Sequence, residues 1–232
     1  MLNNFMTTTP KRWLLPVFFV IFCLYPLFGQ EIITAERYLA MVSDHYATIR
    51  DFEGDITIRS GNQDMAGIVN YMAPNLLRID FTRPANQAIV FNGELLTVFI
   101  PDQRTVLSQN IARRAGSSAA SAQGLTMLRQ NFVASYDIGP NPVPLDANSR
   151  EQVIRLRLIR RSAAEGFREL LLSINPDTML IRRMEGRTIT DSEVRFDFTN
   201  VRINQGTPEQ RFIYDPPPNT AVFHNFLFRD SD

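Results

Sequence analysis

From Leu76 to Pro101 the chain alternates apolar and polar residues with a period of two. Leu77, Ile79 and Phe81 are separated by Arg78, Asp80 and Thr82, and Pro84 ends the run. "QAIVF" and "LLTVFI" then flank Asn92-Gly93. Such alternation puts the apolar side chains on one face of a strand, and Asn-Gly between two such runs predicts a hairpin. The same period predicts strands at "DITIR", "MAGIVNYMA", "RTVLSQN", "VIRLRLIR", "FRELLLSIN", "MLIRRMEG" and "EVRFDFTNVRIN". In the last of these Val194, Phe196 and Phe198 share a parity that Val201 and Ile203 do not. A bulge near Thr199-Asn200 is expected to return them to the same side.

Two stretches carry a helical period instead. Tyr38, Met41, Val42, His45, Ile49 and Phe52 recur at spacings of three and four, which predicts a helix from Thr34 to Phe52. Thr34 is its expected N-cap and Gly54 its expected stop. Leu125, Leu128 and Phe132 predict a short second helix after a small, polar, glycine-interrupted loop.

Every inferred link between strands is short, so the sheet is expected to be antiparallel. "YDPPPNTAVF" should close it, since three prolines cannot occupy a paired central strand. Several strands are apolar on both faces: Leu96, Val98 and Ile100 oppose Leu95 and Phe99, and Leu170, Leu172 and Ile174 oppose Leu171. One antiparallel sheet ordinarily leaves a face polar. The expectation is therefore an α+β fold: a single strongly curved antiparallel sheet of about 10–11 strands. The N-terminal helix and the short helix form a lid over an apolar concave cavity.

Composition narrows the class. The chain has 232 residues, 44% apolar, with 24 basic and 24 acidic side chains, which argues against a nucleic-acid partner. Lys11 and Arg12 precede "WLLPVFFVIFCLYPLFG", and this pattern reads as a cleavable export signal over residues 1–30. Residues 31–232 would then be one exported domain. Cys23, the single cysteine, lies in that leader, so a mature chain has no disulfide and no thiolate nucleophile.

Candidate chemistry is sparse. His45 and His224 are the only histidines, and His45 lies on the apolar stripe of the first helix. "GSSAAS" offers serines without a nearby base, and Asp55, Asp80 and Asp102 are scattered. The arginines of "VIRLRLIRR" alternate as a solvated strand face does. There is no G-x-S-x-G, P-loop or dinucleotide fingerprint. No catalytic residue, metal site or cofactor is expected; the chain reads as one that binds and does not convert.

A helix ending in "YATIRDFEGDITI" leads into "GIVNYMAPNLLRIDFTRPANQAIVFNGELLTVFIP". Gly67, Pro74-Asn75, an alternating strand, Pro84, an aliphatic strand, Asn92-Gly93 and Pro101 follow in order, and "FIYDPPPNTAV" comes late. This frame resembles the periplasmic outer-membrane lipoprotein carrier family (LolA-like). The resemblance implies that the curved sheet is an unclosed half-barrel whose apolar hollow takes lipoprotein acyl chains under a helical lid. Leu77, Ile79, Phe81 and Ile89 stand where that family presents cavity residues. Phe91, Leu96, Val98, Leu156, Leu158, Phe196 and Phe198 are the further cavity candidates, with Met127, Leu128 and Phe132 for the lid's inner surface. "AGSSAASAQG" is its expected hinge. The implied partners are lipoproteins, an inner-membrane releasing complex and an outer-membrane acceptor, met by a periplasmic monomer. Where the family ties its lid with an arginine before the proline, this chain has Ala73, so its lock must use another residue. A lipid-sensing regulatory module and a glycolipid carrier are the alternatives on the same fold.

Overall fold

The computed structural model describes residues 33–111, 121–162 and 166–225. Helix α1 spans Ala35–Ala47. Six strands follow: β1 Asp51–Ser60, β2 Gln63–Met72, β3 Leu76–Arg83, β4 Ala88–Phe91, β5 Leu95–Ile100 and β6 Thr105–Asn110. Helix α2 is Ala122–Asn131 and runs directly into β7, Phe132–Tyr136. Then come β8 Val143–Pro144, β9 Gln152–Arg160, β10 Phe167–Ile174, β11 Ile181–Thr188, β12 Glu193–Ile203 and β13 Ala221–His224.

All the strands belong to one sheet, ordered β13-β6-β5-β4-β3-β2-β1-β12-β11-β10-β9-β7, with β8 also on β9. The curved, unclosed sheet with two helices is the expected fold class. Three strands depart from expectation. β7 and β8 are too short to show a period, and β13 lies parallel to β6, so the sheet is not wholly antiparallel. The link from β12 to β13 is long enough for a crossover, which a parallel pair requires.

The first helix is shorter than its periodicity implies. Thr34 does cap it, its hydroxyl accepting from the Arg37 amide at 3.2 Å. The helix ends at Ala47, where the Thr48 hydroxyl donates to the His45 carbonyl at 2.7 Å. Asp51 and Phe52 already belong to β1, and Gly54 is a mid-strand residue. A Cβ at Gly54 would lie 3.0 Å from Val201 Cγ2 and 3.1 Å from the Thr199 carbonyl. Close approach of β12 explains this glycine better than a helix stop does. Met41 faces outward; Tyr38, Leu39, Val42 and Tyr46 form the buried stripe.

The bulge in β12 is where the parity change puts it. Between Glu53 and Asp55 the register on β12 jumps from Arg202 to Thr199. Asn200 adopts φ +52 there, and its amide donates to Asp55 at 2.6 Å. At the Asn92-Gly93 hairpin only Gly93 has positive φ (+95). Asn92 instead accepts with its side chain from the amides of Glu94 and Leu95, an Asx turn.

The second apolar face has its own cover. Ala88, Phe99 and Val106 form a small outer core under Tyr214 of the C-terminal segment. The Tyr214 and Phe99 rings lie 5.9 Å apart. Arg78 holds the segment down, donating to the carbonyls of Arg211 and Ile213 while pairing with Asp80.

Candidate functional site

Strand register fixes which side chains share the inner face. One row reads Phe52, Tyr71, Leu77, Phe91 and Leu96 across β1 to β5. The next contains Val69, Ile79, Ile89 and Val98. On the other half of the sheet Ile58, Phe196, Met184, Leu172 and Leu156 stand side by side. The inner face is thus one continuous apolar layer.

The cavity candidates therefore lie on the same face, at different depths. Ile79, Phe81, Leu156, Leu158 and Phe198 are buried in one large core cluster, with Leu77, Ile89 and Phe196 packed against it half-buried. Phe91 is buried, whereas Leu96 and Val98 are half-exposed toward the β6 end. Leu172, Met184 and Tyr71 belong to the same layer and were not among the candidates. The alternation Leu170, Leu172, Ile174 was the signal for the first of them.

The helices lie on this layer and fill it. Tyr38, Leu39, Val42 and Tyr46 of α1, with Leu125 and Leu128 of α2, join the same cluster. A crevice between Tyr46, Phe52, Leu180, Ile181, Phe198 and Val201 holds only about 10 Å³, no more than a single water needs. Phe132 and Leu128 face inward. Met127 does not: it is 37% exposed. The inward stripe is Leu125, Leu128 and Phe132, and one residue's rotation carries Met127 off it. The hinge "AGSSAASAQG" lies largely outside the described residues.

At the β7 edge the cover opens. A hollow of about 410 Å³ between α1 and α2 is lined by Glu36, Leu39, Thr126, Arg129, Gln130, Phe132, Ala134 and Arg161. A larger one, about 560 Å³, lies on the outer face among Arg59, Arg155, Arg157, Glu169, Glu185 and Arg195. Its lining is ion-paired, Arg157 with Asp137 and Glu169, Arg195 with Asp197. That hollow is unsuited to an acyl chain.

Three tyrosine hydroxyls fasten the cover to the sheet. Tyr46 of α1 accepts from the buried Ile181 amide of β11 at 3.0 Å. Tyr71 of β2 donates to the Pro74 carbonyl at 3.0 Å and also bonds to Ser121, the N-cap of α2, whose hydroxyl accepts from Gly124 at 3.1 Å. Tyr136 of β7 donates to the Ile33 carbonyl at 2.8 Å. Burial pushes the Tyr46 phenol up to about 12, with the Ile181 amide pulling the other way. Burial likewise raises the Tyr71 phenol. Ala73 has no part in these ties.

A model of the family described as outer membrane lipoprotein carrier protein LolA matches residues 51–215. The chain belongs to the LolA family. A protein of Methylococcus capsulatus named outer-membrane lipoprotein carrier protein is 24% identical over 167 residues, 70% of this chain and 73% of that one. One of the same name from Pseudomonas paraeruginosa is 22% identical over 165 residues, 69% and 72% of the two chains. Among solved structures, an uncharacterised conserved protein from Thermus thermophilus superposes with a TM-score of 0.54 at 11% identity. That match covers 82% of this chain and 98% of the other. At that identity the match shows a shared fold alone.

Proposed function

We propose that this LolA-family protein is a periplasmic carrier, acting as a monomer. It would take lipoprotein acyl chains beneath its two helices and pass them from an inner-membrane releasing complex to an outer-membrane acceptor. One observation supports this: a continuous apolar layer is covered by two short amphipathic helices, whose own leucines, valine and tyrosines pack on it. The names of the relatives at 22–24% identity support the cargo.

The physics asks for such a device. Exposing a 16-carbon chain to water costs on the order of 12 kcal/mol, so an aqueous gap stops a lipidated protein. A hollow that fills itself when empty offsets the exposure of its own lining, and cargo must displace the helices to enter. The resulting affinity is a difference between two apolar contacts, which is what release to an acceptor requires.

The test is uptake of a fluorescent acyl probe by the folded, exported protein, with native mass spectrometry of material bound in the cell. Probe uptake and a co-purifying triacylated lipoprotein are expected. A bound glycolipid would replace the cargo and keep the carrier; a folded protein that takes up no acyl probe would end the proposal. Leu77→Glu, half-buried at the sheet's inner face, should abolish uptake while thermal unfolding stays cooperative. Loss of both together would make Leu77 an ordinary core residue.

A further inference from the structure

One end of the sheet carries a surface that acyl binding leaves unused. β9 ends in Ile159 and Arg160, followed by Arg161, and β10 opens on Phe167 and Arg168. Val133 on the neighbouring β7 stands beside Ile159 in register. Val133, Ile159 and Ile189 are 44%, 53% and 57% exposed, large aliphatics gathered where a solvated strand end would carry polar residues. Ile159 and Ile189 share a shallow hollow of about 440 Å³ with Arg160, Arg161, Arg168 and Glu169.

Arg161 lines this hollow and also the one between α1 and α2, so the aliphatic patch and the mouth of the cover are contiguous. The charge is biased as well. Arg129, Arg160, Arg161 and Arg168 line the two hollows against Glu36 and Glu169. Glu169 is paired with Arg157, and Arg168 with the exposed Asp191. Arg160 is held in place over the Phe132 ring, at 5.8 Å from its centroid. Aliphatic side chains interleaved with arginines suit a surface that is apolar within and anionic outside. Among the described residues no helix is long and apolar enough to cross a membrane, so contact through this patch would be superficial.

We infer that this end of the molecule docks on the face of an anionic bilayer. Val133, Ile159 and Ile189 enter the headgroup layer, Arg160 and Arg161 lie against lipid phosphates, and the mouth between α1 and α2 is turned toward the membrane. The inference takes its purpose from the carrier proposal, but the patch can be tested apart from it.

The experiment is co-sedimentation of the exported protein with vesicles of phosphatidylcholine alone or with added phosphatidylglycerol. Acyl-probe uptake is measured in parallel, without vesicles. Binding to the anionic vesicles only, falling as salt rises, is expected. Ile159→Ser with Ile189→Ser should weaken it about tenfold, leaving acyl-probe uptake unchanged. Equal binding of this variant and the parent, equal binding to both vesicle types, or no binding would overturn the docking. Any of these with uptake intact leaves the carrier proposal standing. Vesicle binding without uptake supports the docking and removes the carrier. Retention by a purified membrane protein but not by lipid would assign the patch to a protein partner and likewise overturn it.

Discussion

Tyr46 shows how much one hydroxyl can carry. It is the oxygen that the buried Ile181 amide meets, 135 residues away in the chain. Tyr46→Phe keeps the ring and orphans that amide, at a cost of about 1–3 kcal/mol, read as a lower urea midpoint. The tyrosine also sets a limit at high pH. Its phenol is raised from 10.0 to about 12 in the fold, so the unfolded chain loses this proton first. Its contribution is fully present below pH 10 and lost as pH rises through about 12. The wild-type urea midpoint should fall across that window more steeply than that of Tyr46→Phe. Equal slopes would show that Tyr46 does not set the limit. None of this could be read from the sequence, where Tyr46 is not among the residues of the helical stripe that runs from Tyr38 to Phe52. The local residue signals were legible: Thr34 as a cap, and the parity break that demands a bulge at Asn200.

At the scale of elements, long alternating runs were legible and short or distant relations were not. Strands such as β3 and β12 declare themselves because one face of each packs on the core. β7 has five residues and follows α2 without a break, so its period merges with the helix. Gly54 misled because a glycine after an apolar stripe usually ends a helix, and the strand that needs it closes on it from the other end of the chain. The fastening of α2 is likewise long-range. Tyr71→Phe removes its tie to Ser121 and its bond to the Pro74 carbonyl in the β2–β3 turn, but leaves the strand ladders intact. Amides of α2 should then exchange faster while those of β2 and β3 hold, and acyl-probe uptake should quicken. Uniform exchange would show that packing alone holds α2.

The loop between β8 and β9 is fastened by charge. Asp146 takes two hydrogen bonds from Arg183, at 2.8 and 3.0 Å, and Glu151 pairs with Arg182. Those arginines hold the two carboxyls below their ordinary values of 3.8 and 4.5. Depressed carboxyls bind protons less readily in the fold than in the open chain. Their contribution is therefore present above those ordinary values and drains away as pH falls through the folded ones. Wild type should lose more of its urea midpoint between pH 6 and pH 3 than Arg183→Met does. An identical acid slope would remove Arg183 from the explanation.

For the molecule as a whole, the question is how a filled hollow can serve a guest. The inner face was legible as apolar from alternation, but its contents were not, because helix side chains and a ligand's methylenes satisfy the same layer. If α1 and α2 occupy the place of the cargo, loading must unseat them. Their buried stripes would then meet water or cargo, and amide hydrogen exchange should rise in both helices when an acyl ligand binds. The central strands β1 to β3 and β10 to β12 should keep or gain protection. Most ligands protect what they touch, so increased exchange in the cover is a signature that ordinary pocket binding does not give. Unchanged protection in α1 and α2 at saturating ligand would place the guest elsewhere and leave the helices as permanent core.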